Sequence, residues 1–353
     1  MNKLKLGIIF GGVSSEHDVS IVSGTSVIKN LDKEKYEIVP IYISKEGNWY
    51  KYTKPIEEIN ILTIGEEIQE KEAIDNLEKT LKSLDVVFPV LHGLGGEDGS
   101  IQGIFEMFNV PYVGCGILAS SVGMDKVYTK IIFDKANIKQ AKYEYIRKYK
   151  DKYIYVDKEN NEQILSLEEI SNKIENNLEY PMFVKPSNSG SSVGINKAHN
   201  IEELKKAIEY AAQYDRKILI EQGLVGKEVE CAVLGNEDVI SSCVGEIKPA
   251  EEFYSFDAKY KNSESKVLIP ADIPKEMSNE IRRLAIKAFK AIDGRGISRV
   301  DFFANEKTEE IFINEINTLP GFTQISMYPK LFENIGISYN ELLDKLINLA
   351  LER

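Results

Sequence analysis

Residues 298–323 read "SRVDFFANEKTEEIFINEINTLPGFT", the pattern of a β-hairpin that carries charge where interior residues belong. Strand side chains alternate between faces, so Arg299, Asp301 and Phe303 share one side while Val300, Phe302 and Ala304 share the other. The second strand, 311–317, opens on three consecutive apolar residues, which predicts that both faces are covered. Glu315 and Asn317 then point the same way. With 305–310 as the loop, Asp301 folds back beside Glu315, and two carboxylates and an amide oxygen converge next to a guanidinium. Half-buried carboxylates need a compensating charge. A hard cation supplies one, and such oxygen donors suit Mg²⁺ with phosphate oxygens completing its shell. The plainer alternative is a surface hairpin whose acids are solvated.

The whole chain restricts the classes available. At 353 residues it predicts two or three domains. Its 43% apolar and 28% charged content is that of a soluble globular protein, and no apolar run approaches a membrane span. The opening "MNKLKLGIIFGG" has too short an apolar core for a signal peptide. A net charge of −12 without a basic run makes nucleic acid and anionic membrane poor partners, so any phosphate must be held by local features. Cys115, Cys231 and Cys243 are scattered, which fits a reducing cytoplasm and buried thiols. His17, His92 and His199 are too dispersed for a zinc site.

Upstream of the hairpin, "KLGIIF", a helix from about Glu16, "YEIVPIYI", a helix over 71–83 and "DVVFPVL" carry the βαβ signature of a parallel sheet. Residues 119–137 read as helical and lead to a second unit with "YPMFVKP", a helix over 201–214 and "KILIEQ". A third unit begins with "EVECAVLG" and "VISSCVGEI", alternating enough for antiparallel strands. A long loop over 248–265 precedes "VLIPADIP", a helix to about Ile292 and the hairpin. The divisions expected are 1–120, 121–215 and 216–353.

Glycine-rich turns follow several of these strands. "FVKPSNSGSSVGI" sets Lys185 at a strand end before Ser187, Ser189, Gly190, Ser191, Ser192 and Gly194, a turn whose N–H and hydroxyl groups can wrap phosphate. It lacks the G-K-[ST] ending of a Walker loop, and an ordinary hairpin turn is the competing reading. "VPYVGCGILAS" matches G-x-G-x-x-A at Gly114, Gly116 and Ala119, with Asp134 spaced as a ribose partner. That second reading, a dinucleotide-binding oxidoreductase, leaves the acids around residue 301 without a purpose. "FGGVSSEHDVS" and "HGLGGEDGSIQG" each pass from strand to helix, where a helix N-terminus favours anions. Glu16 and Asp18 also read simply as first-turn acids on the helix dipole.

In order, "FGGVSSEHDVS", "HGLGGEDGSIQG", "GMDK", "FVKPSNSGSSVG", "ILIEQGLVGKE", "EFYSFDAKY" and "RVDFF…NEINTLPGFT" resemble the D-alanine-D-alanine ligase family of ATP-grasp enzymes nearly end to end. The resemblance implies three α/β domains: an N-terminal parallel-sheet substrate domain, a central domain and a C-terminal catalytic domain, with ATP gripped between the last two. It implies that ATP and two D-alanines become D-alanyl-D-alanine, ADP and phosphate through an acyl phosphate, for peptidoglycan synthesis in the cytoplasm. Asp301, Glu315 and Asn317 would hold two Mg²⁺, or Mn²⁺. Lys126 and Lys185 would contact the α- and β-phosphates, with Ser191 and Ser192 in the loop above them. Glu221 would accept from the adenine amino group, the backbone at Leu224 would read the ring edge, and Glu228 would take the ribose hydroxyls. Glu16 would bind the first ammonium. The long loop would close with Lys259 near the γ-phosphate and Tyr260 hydrogen-bonded toward Ser191 and Glu16, excluding water. Arg299 and the N–H of Gly321 would form the oxyanion hole.

Ser326 and Met327 would line the second-substrate subsite. Serine-using relatives tend to carry arginine at the position of Met327. Lactate-using ligases tend to replace the lid's Lys-Tyr pair and place a histidine there, whereas the pair stands here and 248–266 holds no histidine. An apolar Met327 therefore favours D-alanine. Gln324 departs from a serine common in relatives. A homodimer is the expected assembly, and a non-catalytic nucleotide-binding regulator on the same fold is the third class weighed.

Overall fold

The computed structural model describes residues 3–59, 68–190, 193–248 and 266–352. Its strands form three sheets. In the first, β1 (Leu4–Gly11) pairs in parallel with β2 (Tyr36–Ile43) on one side and β5 (Val86–Val90) on the other. All three are almost wholly buried, as near-continuous apolar strands covered on both faces should be. The sheet extends on one edge by the antiparallel strands β3 (Trp49–Tyr52) and β4 (Lys71–Ala73), so only its centre is parallel. Residues 71–73, expected as the start of a helix, instead pair with Tyr50 and its neighbours. Helix α2 (Leu77–Lys82) begins only after Asn76, whose side chain accepts from the N–H of Lys79. Helices α1 (His17–Asn30) and α3 (Ser100–Phe108) follow β1 and β5.

Residues expected as one helix over 119–137 form two, α4 (Ile117–Met124) and α5 (Lys126–Lys135). The break is Asp125, which is extended and caps α5 by accepting from the N–H of Tyr128. A side-chain cap of this kind competes directly with continuation of the helix.

The second sheet is antiparallel. Its order is β10 (Asn196–Ala198), β9 (Met182–Pro186), β11 (Lys217–Gln222), β6 (Tyr143–Tyr149), β7 (Lys152–Val156) and β8 (Glu162–Leu165). Strand β11, which begins just past the expected division at 215, pairs with β6 and β9 in this sheet. Helices α6 (Leu167–Asn177) and α7 (Ile201–Ala211) bury Ile170, Ile174, Leu204 and Ile208 against it. The third sheet orders β14 (Lys266–Leu268), β13 (Ile240–Lys248), β12 (Lys227–Gly235), β15 (Gly296–Asn305) and β16 (Glu310–Asn317), all antiparallel. Helix α8 (Lys275–Ala291) covers one face through Ile281, Ala285, Ala288 and Phe289.

The opposite side joins the first sheet in one continuous core with α9 (Met327–Asn334) and α10 (Tyr339–Leu351). Phe322 meets Phe88 edge-on at 5.5 Å and is 1% exposed. Truncation to alanine there costs about 3–5 kcal/mol and loosens the first sheet from the third.

The hairpin contains a feature that strict alternation hides. Asp301 pairs with Glu315, but Phe302 pairs with Ile313, so Asn314 is an extra residue and the register shifts by one. Past the bulge, Ile311 and Ile313 stand with Ala304 and Phe302 on the core face, while Phe312 stands with Phe303 on the other. The three consecutive apolar residues thus serve both faces. Without the bulge, Glu315 would share the face of Ile311 and Ile313; with it, Glu315 and Asn317 stand with Asp301 and Arg299.

Candidate active site

Register builds the first half of the site. Glu230 on β12 lies opposite Asp301 on β15, which lies opposite Glu315 on β16, so three carboxylates form a row across neighbouring strands. Gly245 on β13 ends the row. The adjacent row runs Ala232, Arg299, Asn317. Arg299 donates through Nε and Nη2 to the two oxygens of Asp301, both at 2.7 Å, and its Nε lies 3.1 Å from Glu230 Oε2. Burial opposes the guanidinium's charge, but Asp301 and then Glu230 outweigh it and hold the group well above its ordinary range. Part of the compensating charge that the sequence pattern demands is therefore supplied here by the protein itself.

The donor chemistry nevertheless suits a hard cation. Asp301 and Glu315 are direct partners, and the amide oxygen of Asn317, which accepts from the N–H of Leu319 at 3.0 Å, lies in the next row. Among the described residues no group of three or more His, Cys, Asp and Glu is placed to hold a metal by itself. A divalent ion that keeps only one or two carboxylates and takes the rest of its shell from phosphate fits that donor set.

A cleft of about 210 Å³ opens over these rows and gathers, besides residues of the third sheet, residues from the turns after β1, β5 and β9. Glu16, Lys126, Arg299, Glu315, Asn317, Gly321, Ser326 and Met327 all line it. Glu16 arrives from the start of α1 and is 9% exposed. A Cβ on Gly93 would sit 2.7 Å from Glu16 Oε2, and one on Gly190 would sit 3.2 Å from it. Glycine at each place lets the backbone come this close, so the turns at Gly93 and Gly190 meet one carboxylate. Ser326 Oγ accepts from the N–H of Thr323 at 2.9 Å, and Met327 opens α9 against Gly245.

The second half of the site is a narrow recess sharing Lys126 and Glu315 with the cleft and lined also by Lys130, Lys185 and Glu221. Lys126, the first residue of α5, donates from Nζ to the carbonyl of Ser189 at 2.6 Å, and Ser187 Oγ donates to Asp125 at 2.6 Å. The turn after β9 is thereby tied to the start of α5. Lys130 and Lys185 each lie 2.5 Å from an oxygen of Glu221. Burial alone would raise the Glu221 carboxyl; the two ammonium groups outweigh it and bring it down to about 2. Glu228, on β12, is near enough for its charge to favour the ammonium of Lys185. Leu224 sits half-buried between β11 and β12.

Ser191, Ser192, Lys259 and Tyr260 lie outside the described residues, as does 249–265 of the expected closing loop. Four residues without an expected role belong to the site. Glu230 and Lys130 read as ordinary strand and helix residues, because only the register and the two-helix break place them. His92 and Glu97 stand among the glycines of 92–99, where the turn signal is the stronger one. Both line the cleft. The His92 ring, its Nε2 2.9 Å from Ser23 Oγ, is held neutral chiefly by burial. Burial, and next the charge of Glu16, push the half-buried Glu97 carboxyl up to about 8, while the Gly93 N–H donates to it at 2.6 Å. Asp134, spaced as a ribose acceptor, instead accepts from Gln140 at 2.6 Å and Tyr143 at 2.8 Å. The dinucleotide reading loses its acid.

Comparison with known proteins agrees over nearly the whole chain. Residues 5–115 match the family model described as D-ala D-ala ligase N-terminus, and residues 132–348 that described as D-ala D-ala ligase C-terminus. The chain is 50% identical to the D-alanine--D-alanine ligase of Acetivibrio thermocellus, covering 100% of this chain and 97% of that one. It is 48% identical to that of Clostridium novyi, covering 99% of each. Among solved structures it is similar to the VanG D-Ala:D-Ser ligase of Enterococcus faecalis, with 37% identity, a TM-score of 0.85 and coverage of 99% and 100%. It is also similar to the D-alanine-D-alanine ligase of Coxiella burnetii, with 32% identity, a TM-score of 0.82 and coverage of 100% and 95%. Matching relatives end to end in sequence and fold, with residues from several of the family's motifs meeting in one cleft, the chain belongs to the D-alanine-D-alanine ligase family.

Proposed function

We propose that the protein is an ATP-dependent ligase that joins two D-alanine molecules into D-alanyl-D-alanine for peptidoglycan precursor synthesis. The observation that carries this reading is the meeting of Glu16, Arg299, Gly321 and Met327 in one cleft beside the lysine-lined recess. The reaction divides into two steps. A carboxylate acylates poorly because its leaving group is oxide, so the first D-alanine takes the γ-phosphoryl group of ATP and becomes an acyl phosphate. The amine of the second D-alanine attacks that carbonyl, and the tetrahedral intermediate expels phosphate.

This chain's residues divide the work by charge. Glu16 binds the ammonium of the first D-alanine. Lys126 and Lys185 neutralise phosphate oxygens, which matters because phosphoryl transfer between anions depends on positioning and charge compensation. Glu221, held ionised, accepts from the adenine amino group, with Leu224 at the ring edge and Glu228 at the ribose. Arg299 and the N–H of Gly321 stabilise the developing oxyanion. Asp301, Glu315 and Asn317 would hold two Mg²⁺, or Mn²⁺, whose charge would draw the phosphate oxygens together when bound. Ser326 and Met327 set the second subsite, and apolar Met327 favours the methyl of D-alanine over a hydroxyl. One such contact discriminates by no more than about 3 kcal/mol.

A cytoplasmic homodimer completes the reading, with its assembly checked by light scattering. Among the described residues no helix is long and apolar enough to cross a membrane. Incubation with ATP, Mg²⁺ and D-alanine, D-serine or D-lactate as second substrate, with products identified by mass, tests the proposal. D-alanyl-D-alanine should dominate. Nucleotide binding without phosphate release would mark a non-catalytic regulator instead.

A further inference from the structure

We infer that Glu230 is a positioning residue for Arg299: it keeps the guanidinium in the cleft once a divalent cation takes Asp301. The inference rests on the reading that Asp301 and Glu315 hold that cation. In the structure both oxygens of Asp301 are engaged by Arg299, each at 2.7 Å. A cation that takes Asp301 competes with two charge-assisted hydrogen bonds for that carboxylate, and the half-buried guanidinium would then lose much of its counter-charge. One carboxylate is already in place to prevent this. Glu230, 6% exposed and opposite Asp301 on the neighbouring strand, sets Oε2 3.1 Å from Arg299 Nε and lines the same cleft.

Glu230 thus makes two demands on Arg299 compatible: release of Asp301 to the cation, and a fixed direction toward the reacting carbonyl. It touches neither substrate nor phosphate. Its effect on catalysis should pass entirely through Arg299.

The test uses the full chain and Glu230→Gln. Turnover number should fall roughly tenfold, the loss expected when an ion-pair partner of the guanidinium is removed, while KM for D-alanine changes less than about twofold. Mn²⁺ binding in the presence of ADP, followed by the resonance signal of free Mn²⁺ without turnover, should weaken because Arg299 then has Asp301 alone. Glu230→Asp should fall between the two proteins in both measurements. In an Arg299→Met background, where residual product is followed by mass, adding Glu230→Gln should leave the rate unchanged within about twofold.

Wild-type turnover and Mn²⁺ affinity in Glu230→Gln would overturn the inference, and so would an equal loss in the Arg299→Met background. If Glu230→Gln does not fold, Glu230→Asp decides alone: weakened Mn²⁺ binding supports the role and unchanged binding removes it. Asp301→Asn separates the two levels. Loss of Mn²⁺ binding there with no effect at Glu230 defeats only the positioning role, whereas retained binding defeats the metal reading and this inference together.

Discussion

Two buried ionic clusters flank the cleft, and they are built with opposite signs. Around Arg299, Asp301, Glu230 and Glu315 set three formal negative charges against one positive, a surplus of two negatives. Around Glu221, Lys130 and Lys185 set two positives against one negative, a surplus of one positive, and Lys126 lines the same recess. A chain with a net charge of −12 can hold phosphate only where such a local surplus overrides the whole. One cluster invites a cation and the other an anion, and Glu315 borders both. A site for a metal-bound nucleotide can thus be written as two adjoining imbalances, each kept ionised by its own counter-charge.

The largest way to break the comparison is Asp301→Asn. Removing that carboxylate should cut divalent-dependent dipeptide formation on the order of 10³-fold, with an unchanged circular dichroism spectrum. Turnover near the wild-type rate would detach the negative cluster from the chemistry. On the positive side, Glu221→Gln leaves two buried ammonium groups facing each other and should cost about 3–5 kcal/mol in urea unfolding. ATP should recover more stability in that variant than in the wild type, because phosphate then supplies the missing anion.

Lys130→Met sharpens the contrast without adding an unpaired cation. Glu221 would then neutralise Lys185 alone, so KM for ATP should rise roughly tenfold while KM for D-alanine stays put; equal shifts in both constants would contradict a charge effect confined to the recess. The smallest effect concerns Glu97, whose carboxyl lies at about 8 against an ordinary 4.5. The folded protein keeps that proton where the unfolded chain releases it, so the stability it contributes is complete below pH 4.5 and is lost as pH rises through 8. Glu97→Gln cannot ionise. Its melting temperature should gain on that of the wild type as pH is raised from 4.5 to 8, and a constant gap would show that Glu97 is already ionised at the lower value.

Much of this was legible because strand periodicity and turn chemistry are local. The apolar runs at 5–10, 36–43 and 85–91 mark β1, β2 and β5, and the order of the motifs carries the family. What escaped depends on distance along the chain. Strand β4 forms because Tyr50 and Tyr52 offer a partner edge, and β11 joins the central sheet through β6 and β9. Glu230 becomes a site residue only when β12 aligns with β15, seventy residues later, and Lys130 only when α5 is turned toward β11. Asp125 hides a helix boundary inside a helical pattern through a single side-chain cap.

The bulge at Asn314 makes the register of β16 a stricter requirement than its composition. Deleting Asn314 would leave Glu315 directly after Ile313 and still opposite Asp301, whereas a regular ladder that kept Asn314 would turn Glu315 and Asn317 to the side of Ile311 and Ile313. A strand paired that way would keep every motif letter on paper and have its proposed metal ligands facing inward, toward oil.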